Sequence, residues 1–325
     1  MTAVRAATAA ALLLLVVAVV LVVAPDLVGL HGTTPFAQVV ALRGPVGAAL
    51  ALAGLALLLP RRRALVPFAV VLLLGAVAQA AVLAQRGLGA GEASAAARPA
   101  DAVTVLVLNT QGSVGAEELA ALVVAQHADV VVLPETLRAT AERTAALAAE
   151  QGRSLQVLAD DGAGGTVGAT ALLVDDELGT YVIADHHPGP LASFTARGDG
   201  SGPVVAAVHP YPPLPGDMDT WRAGTTTVVG LCTTTADVVA GDFNATLDHP
   251  ALADRPPGCA DAAEGRVAAS GTWPSTWPRS LSAPIDHVLV DEARWTVHAV
   301  TVLDPQPGTD HRGLVAVLVP ASGPS

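Results

Sequence analysis

The chain has 325 residues, of which 52% are hydrophobic and only 3% aromatic, and its formal net charge is −12. Its two parts differ, because residues 1–86 are almost wholly apolar, whereas residues 99–325 hold 10 Arg against 27 acidic residues, a net charge of −17. So acidic a segment repels polyanions and lacks a basic footprint, which argues against a general binder of long nucleic acids.

The chain begins with three apolar runs, at about residues 7–28, 38–59 and 64–83. Each run approaches the roughly 20 residues that a membrane-spanning helix needs. No small-residue cleavage site with polar sequence behind it follows the first run, so a signal peptide explains the pattern less well than three spanning helices. The sequence therefore predicts a multi-pass membrane domain over residues 1–86, located in the cell (plasma) membrane.

Arginine positions predict the orientation of these helices. Three consecutive Arg at 61–63 lie between the second and third runs, whereas the loop at 25–37 contains no Arg. Because cationic loops favour the cytoplasm, we expect the N-terminus with Arg5 inside and the chain from about residue 87 outside. Arg43 lies within the second run near its outer end. Snorkelling to the interface is the preferred interpretation, and a functional charge within the membrane is the alternative.

Small and flexible residues at 87–101 predict a linker, and a single domain is expected over 102–320 with a short tail at 321–325. Strands are predicted at 103–108 and 130–133, with helices at 116–126 and 138–151. Closely spaced strands follow near 155–158, 168–174, 181–184, 192–197 and 204–208, then a helix at 217–234, a strand from 239, and strands near 285, 295 and 314. This mixture predicts an α/β fold with two sheets.

Polar residues suited to metal or proton chemistry stand at the ends of these strands. In the run VAGDFNAT, Asp242 and Asn244 share one face, because alternate residues of an extended segment point the same way. The further candidates that follow a strand are Asn109, Glu135 and His209, and those that open one are Asp286, Asp310 and His311. In an antiparallel pair, one strand ends at the same sheet edge at which its neighbour begins. We therefore expect these residues to converge on one sheet edge.

In this order, the segments LNT, LPET, GDFN, IDHV and TDHR resemble the endonuclease/exonuclease/phosphatase superfamily of DNase I-like phosphoesterases. The resemblance covers about residues 102–320. It implies a four-layer αββα sandwich and metal-dependent hydrolysis of phosphate esters. Two positions depart from the usual pattern: Pro134 stands where many relatives have Gln, and Gly313 follows Arg312 where Pro is usual. Neither departure removes a catalytic group.

The resemblance also implies a metal site. Hard oxygen ligands suit Mg²⁺, with Mn²⁺ as a substitute, and Glu135 is the best candidate ligand. Asn109 would add an amide oxygen and Asp310 a second carboxylate. The alternative for Glu135 is an ordinary exposed acid at a strand end.

Catalytic roles follow from the same resemblance. His311 is the candidate general base, since imidazole titrates near neutral pH and Asp286 or Asp310 can hold its tautomer. His209 would donate a hydrogen bond or proton to the phosphate or leaving oxygen, although a structural His is its alternative. Asp242 would orient the attacking water, and Asn244 would bind a phosphoryl oxygen. With a neutral His311 as base, activity should fall at low pH.

Other residues carry weaker signals. Cys232 and Cys259 flank the GDFN strand, and an oxidising compartment favours a disulfide between them over two buried thiols. Trp273 and Trp277 could wall a pocket or touch the membrane, but packing of their proline-rich loop is the preferred interpretation. His287 is interpreted as a spectator. The remaining histidines, interpreted as loop or surface residues, are His31, His127, His186, His187, His249 and His298.

The leading functional hypothesis is a membrane-anchored, Mg²⁺-dependent phosphoesterase acting outside the cytoplasm on a lipid-linked or small phosphate mono- or diester. An extracellular endonuclease or exonuclease is the alternative enzyme, disfavoured by the acidic charge. A noncatalytic binding module on the same fold is the contrasting class. No protein partner is predicted, and the sequence does not select one ester, because substrate choice resides in loops.

Overall fold

The computed structural model describes residues 2–89, 91 and 98–321. The apolar region forms the helices α1 (Thr2–Val23), α2 (Phe36–Ala41), α3 (Arg43–Leu58) and α4 (Val66–Arg86). By length and composition, α1 and α4 could cross a membrane, whereas α3 has only 16 residues. The expectation of three spanning helices is therefore corrected to two helices of spanning length, α1 and α4. The predicted run at 38–59 is not one helix, because the backbone leaves helical geometry at Leu42, with φ −110° and ψ 46°.

Small residues let these helices approach closely. A Cβ atom on Gly75 of α4 would lie 2.6 Å from Cγ1 of Val19 in α1. A Cβ atom on Gly54 of α3 would lie 3.1 Å from the carbonyl oxygen of Ala69 in α4. Glycine at such positions is typical of helices that pack without a hydrophobic driving force, as they do in lipid. α4 is therefore packed against both α1 and α3.

The acidic region forms twelve strands and four helices among the described residues. In chain order they are β1 (Val103–Val107), α5 (Ala116–Gln126), β2 (Val130–Pro134), α6 (Arg138–Ala149), β3 (Leu155–Asp160), β4 (Thr170–Asp175), β5 (Tyr181–His186), β6 (Phe194–Gly198), β7 (Val205–Val208), α7 (Met218–Val229), β8 (Val238–Asp242), α8 (Pro250–Ala253), β9 (Cys259–Asp261), β10 (Asp286–Asp291), β11 (Trp295–Pro305) and β12 (Arg312–Pro320). Most predicted elements are present with shifted ends, and the short α8 and β9 are additions.

Two six-stranded sheets face each other. The first has the order β11-β12-β1-β2-β4-β3 and the second β5-β6-β7-β8-β10-β9. β1 pairs with β2, and β7 with β8, in parallel, while the other pairs are antiparallel. The main core lies between the sheets, and a second cluster lies under α5 and α6. This architecture confirms the predicted two-sheet α/β sandwich, whose central strands are buried on both faces.

A disulfide joins Cys232, just after α7, to Cys259, the first residue of β9. The two Cα atoms are 5.9 Å apart, and both side chains are buried. The predicted bridge is therefore present in the structure. It encloses β8, so the segment that carries Asp242 is tied at both ends.

The helices are attached to the sandwich through Asp248. Arg43 Nε donates to one Asp248 carboxylate oxygen at 2.8 Å, and Arg86 Nη2 donates to the other at 2.8 Å. Burial alone would raise the pKa of Asp248, but the two guanidinium groups outweigh it and hold that pKa below its usual range. Arg43 is buried rather than exposed at a membrane interface, so the snorkelling interpretation is wrong. We call this arrangement of Arg43, Arg86 and Asp248 the Asp248 clamp.

The connection between α1 and α3, residues 24–42, also lies on the sandwich. Gln38 Nε2 donates to the carbonyl oxygen of Pro213 at 2.6 Å. Arg222 Nη1 donates to the carbonyl oxygen of Gly32 at 2.8 Å. The α1–α3 connection is therefore held by several separate contacts and not only by the Asp248 clamp.

His249 makes a third contact with this connection. Its Nδ1 accepts from the backbone N–H of Thr246 at 2.7 Å, and its Nε2 donates to the carbonyl oxygen of Ala37 at 2.9 Å. The side chain is buried, so its interpretation as a loop or surface residue is corrected. Burial lowers the pKa of His249 to about 4, although the Ala37 carbonyl and Asp248 oppose the shift.

We expect His249 to make the stability of the protein depend on pH. Below about pH 6.5 the unfolded chain takes up a proton on this imidazole that the folded chain binds only near pH 4, so stability falls as the pH drops through that window. The loss can reach about 3 kcal/mol. Unfolding free energies of detergent-solubilised wild type and His249→Gln, measured from pH 7 to pH 4.5, should show a shallower slope for the variant. Equal slopes would contradict the prediction.

Candidate active site

Strand ends from both sheets meet at one site. In the first sheet, Asn109 and Glu135 follow the parallel strands β1 and β2. In the second sheet, His209 follows β7, and Asp242 ends β8 opposite Asp286 in β10. Asp310 and His311 stand directly before β12. The predicted residues therefore converge, but on the edges of two sheets rather than on one sheet edge.

Three residues at this site have the left-handed backbone conformation that non-glycine residues rarely adopt. The φ angles are 51° at Gln111, 57° at Glu135 and 48° at Asn244. Local hydrogen bonds hold the last two, because Glu135 N donates to the carbonyl of Ala169 at 2.8 Å and Asn244 N donates to Asp242 Oδ1 at 2.8 Å. Strained backbone of this kind concentrates at functional sites, where the surrounding structure maintains it.

Asn109 links two of the carboxylates. Its Nδ2 donates to Glu135 Oε1 and to Asp242 Oδ2, each at 3.0 Å. Its Oδ1 accepts from the backbone N–H of Gln111 at 2.9 Å. In this structure Asn109 thus acts through its nitrogen to hold the carboxylates together. Its role as an amide-oxygen ligand stays a prediction.

The carboxylates raise one another's pKa. Burial raises the pKa of Glu135, against the hydrogen bond from Asn109, and the charges of Asp242 and Asp310 raise it further. Burial and the nearby charge of Asp286 likewise raise the pKa of Asp242. Among the described residues that line the surrounding cavity, none is Arg or Lys. The site therefore has more carboxylates than the single cationic imidazole of His311 can balance, which suits a bound cation.

Two sets of residues could hold such a cation. Ligand atoms of Asp242, Asp286 and His311 lie within 4.8 Å of one another, and Asp286 Oδ1 is buried with no hydrogen-bond partner in the described residues. However, the other oxygen of Asp286 is engaged with His311. Glu135 is more open than Asp286, with 16% of its side chain exposed against 0%, and it borders the cavity, so we favour it as a ligand together with Asp242. The expected set of Glu135, Asn109 and Asp310 stays a prediction.

His311 is oriented by a buried carboxylate. Its Nδ1 lies 2.9 Å from Asp286 Oδ2, and its Nε2 lies 3.7 Å from Asp242 Oδ2 and 3.9 Å from Asp310 Oδ1. Of the two predicted orienting partners, Asp286 therefore makes the hydrogen bond. Burial would lower the pKa of His311, but Asp286, Asp242 and Asp310 outweigh it and raise the pKa to about 9. The expected neutral imidazole at pH 7 is therefore not what these residues alone produce.

The pKa of His209 is shifted in the opposite direction from that of His311. Its ring is buried, and Nε2 lies 3.9 Å from Glu135 Oε1 and 3.8 Å from Asp242 Oδ2. Its backbone N–H donates to Ser193 Oγ at 2.8 Å, whereas its Nδ1 has no partner in the described part of the chain. Burial lowers the pKa of His209 to about 4, despite the charge of Asp242. Two imidazoles with pKa values pushed apart are typical of sites that divide proton-transfer roles.

A cavity of about 610 Å³ contains these groups. Trp273 borders it, and its indole Nε1 donates to Asp310 Oδ2 at 2.8 Å. The preferred interpretation of Trp273 as loop packing is therefore incomplete, because the indole also holds a carboxylate of the site. Gln111, which also borders the cavity, was not among the sequence candidates; its position two residues after Asn109 is the only signal.

His287 stabilises the loop that follows β8. Its Nδ1 lies 2.6 Å from Asp261 Oδ2, and its Nε2 donates to the carbonyl oxygen of Ala245 at 2.8 Å. Both ring nitrogens are thus engaged in buried contacts. This geometry agrees with a residue outside the chemistry, and no sequence signal pointed to Asp261 as its partner.

The sequence profile of the Endonuclease/Exonuclease/phosphatase family matches residues 106–311, which is more than half of the chain. The chain belongs to the endonuclease/exonuclease/phosphatase family. The matched range extends from β1 to His311 and so includes all the residues assembled above. This membership is consistent with a phosphoesterase site in the cavity. No curated protein sequence matches the chain.

Solved structures show the same family fold. TDP2 of D. rerio, humanized by 14 mutations, is 12% identical, with a TM-score of 0.53 over 67% of this chain and 99% of that one. A family member from Beutenbergia cavernae DSM 12333 is 21% identical, with a TM-score of 0.52 over 69% and 73%. A functionally unknown protein from Enterococcus faecalis V583 is 15% identical, with a TM-score of 0.50 over 67% and 100%. Similarities this low establish the fold alone.

Proposed function

We propose that the protein is a membrane-anchored, metal-dependent phosphoesterase that hydrolyses a lipid-linked or small phosphate mono- or diester outside the cytoplasm. The observation that carries this proposal is the convergence of Glu135, Asp242 and the Asp286-oriented His311 around one cavity. Family membership supports the reaction class, because such a site offers what phosphoester hydrolysis needs.

The chain's own residues have separate roles in this proposal. Asp242 orients the attacking water, and Asn244, whose Nδ2 donates one hydrogen bond to the Pro210 carbonyl at 3.1 Å, presents its second amide N–H to a phosphoryl oxygen. His311 takes the proton from water at Nε2, while Asp286 keeps the ring in place through Nδ1. The neutral His209 donates a hydrogen bond to the phosphate or the leaving oxygen.

Glu135 and Asp242 would hold Mg²⁺, with Mn²⁺ as a substitute. A divalent cation held there would offset charge on the phosphoryl oxygens and on these carboxylates, and the pKa of His311 would then lie closer to the range in which imidazole accepts a proton. The neighbouring carboxylates of Glu135 and Asp242, which raise one another's pKa, are the feature that fits such an ion.

The charge of the chain supports a lipid-linked or small substrate over a nucleic acid. Residues 99–325 carry 10 Arg against 27 acids, and no Arg borders the described part of the cavity. A long polyanion would meet repulsion at this surface. An extracellular nuclease is therefore the second candidate.

The reaction class can be tested with the full-length protein in phospholipid vesicles. We expect hydrolysis of p-nitrophenyl phosphate or methyl p-nitrophenyl phosphate with Mg²⁺ or Mn²⁺, and loss of activity with EDTA. Single-stranded DNA should be a much poorer substrate. A folded protein that cleaves none of these compounds with either ion would instead support the noncatalytic binding module.

Because α1 and α4 both end at the Asp248 clamp, the segment between them, which contains the shorter α3, has to return the chain to the opposite side if both helices span. The arginines at 61–63 lie on that opposite side, and they support a cytoplasmic position for their loop and an outer position for the sandwich. Protease added to intact cells should then release the sandwich, whereas an internal epitope tag between residues 60 and 64 should stay protected. A matched sample of lysed cells provides the control. Protection of the sandwich in intact cells together with its digestion after lysis would reverse the proposed orientation.

A further inference from the structure

One wall of the catalytic cavity comes from the apolar N-terminal region. Gln38, Ala41 and Leu42 border the same cavity as Glu135 and His311. These three residues belong to the α1–α3 connection, far away in sequence from every predicted site residue. The cavity therefore has a polar floor from the sandwich and a wall from the segment that joins two apolar helices.

That wall is fixed in place rather than loosely apposed. Gln38 donates to the Pro213 carbonyl at 2.6 Å, and His249 donates to the Ala37 carbonyl at 2.9 Å. The Asp248 clamp begins one residue after Leu42. Beyond it, Gly44 lies so close to the sandwich that a Cβ atom there would be 1.9 Å from the carbonyl oxygen of Ser280.

The wall also lies at the level where the apolar helices end. Arg43 Nη1 donates to the carbonyl oxygen of Val23, the last residue of α1, at 3.0 Å. Arg86, the last residue of α4, and Arg43 both donate hydrogen bonds to the carboxylate of Asp248. The ends of both candidate spanning helices therefore adjoin the cavity wall, which puts the wall at the membrane boundary if these helices span.

Exposed apolar side chains continue this wall around the cavity. Val167, Leu214 and Trp273 border the cavity while remaining 52%, 45% and 39% exposed. Large apolar side chains that stay open beside a catalytic floor are suited to an apolar ligand or to a lipid surface. A small hydrophilic phosphate ester would leave them in water.

We propose that the α1–α3 connection is part of the substrate site and holds the alkyl chain of a membrane-resident phosphoester, whose phosphate lies at Glu135 and His311. Leu42 and Ala41 are the specificity-determining residues, because they contact the chain where it leaves the catalytic floor. This inference rests on the proposed phosphoesterase function and specifies its substrate as an amphipathic ester with a long alkyl chain.

The inference can be tested with two substrates in which the enzyme would break the same bond. Methyl p-nitrophenyl phosphate and hexadecyl p-nitrophenyl phosphate release the same leaving group, and both can be offered to the full-length protein in phosphatidylcholine vesicles. We expect wild type to favour the hexadecyl ester in kcat/KM. Leu42→Asn should lower the hexadecyl-to-methyl ratio by at least about ten-fold, because removal of apolar contact with a substrate is worth about 10–200-fold per missing group.

Leu88→Asn is the matched control, since Leu88 is exposed near the end of α4 and does not border the catalytic cavity. It should leave the ratio at its wild-type value. An unchanged ratio in Leu42→Asn, or a wild-type ratio near one, would overturn the proposal. Hydrolysis of the methyl ester would still uphold the phosphoesterase function, so the two failures can be distinguished.

A second measurement does not depend on turnover. A hexadecyl phosphonate that carries a diazirine in its chain should label residues 36–43 in vesicles, as located by mass spectrometry. Unlabelled hexadecyl phosphonate should compete, whereas hexadecanol at the same mole fraction should not. Labelling spread evenly over the exposed faces of the helices, with equal competition by hexadecanol, would show contact with bulk lipid only and overturn the proposal.

Discussion

Glu135→Gln is expected to weaken metal binding more than any other single substitution at the site. The change preserves the shape and the contact with Asn109 but removes one negative charge from a cavity that no arginine among the described residues borders. Loss of groups that merely support metal ligands costs about 10–100-fold, so loss of a ligand should raise the metal concentration for half-maximal activity by about 10²-fold or more. Activity against Mg²⁺ concentration measures the effect, and Mn²⁺ binding followed by electron paramagnetic resonance measures it without turnover.

Glu142→Gln is the matched control for this substitution. It makes the same chemical change on an exposed face of α6, away from the cavity. Its metal dependence should equal that of wild type. If folded Glu135→Gln protein binds Mn²⁺ as tightly as wild type, Glu135 is not a ligand, and the alternative set of Asp242, Asp286 and His311 becomes the better candidate.

His311→Ala is expected to lower kcat by about 10²–10⁴-fold, the usual contribution of a positioned proton-transfer group. Its Nε2 faces the carboxylates of the cavity, and its Nδ1 is already engaged by Asp286. Because this role concerns turnover, metal affinity should change much less than in Glu135→Gln. Single-turnover hydrolysis of p-nitrophenyl esters at saturating Mg²⁺ separates the two effects.

His186→Ala controls for loss of an imidazole, since His186 is exposed in β5 and does not border the cavity. It should retain wild-type kcat. A folded His311→Ala protein with near-wild-type turnover, on an ester that wild type demonstrably cleaves, would remove His311 from the chemistry. The role would then fall to Asp242, the neighbouring carboxylate whose pKa is raised by burial and by the charge of Asp286.

Sequence reasoning predicted which polar residues would converge, because each one is tied to a strand end. A strand rich in Val and Leu is recognisable locally, and its terminal polar residue is found with it. Thus β8 carries Asp242 as predicted, and β10 begins with Asp286 in register with it. What this reasoning lacked was the partition of the strands between two sheets, which depends on pairing over long distances.

The apolar region was predicted less well, for a physical reason. Hydropathy describes an average over many residues, whereas the break at Leu42 depends on contacts with residues remote in sequence. Arg43 illustrates this point, because its partner Asp248 lies 205 positions away. His249 was misassigned in the same way, since its burial is created by packing against the α1–α3 connection.

The Asp248 clamp also has a consequence for how the protein is made. Synthesis at roughly 5–20 residues per second delivers Asp248 about 10–40 s after Arg43, whose partner lies 205 positions away. During that interval the helices are already available for insertion, while both arginines lack their carboxylate. The Asp248 clamp therefore closes only after insertion of the helices has become possible. We expect activity to mature after membrane insertion, and pulse-labelling with timed protease challenge would show the resistant form appearing late in the life of the nascent chain.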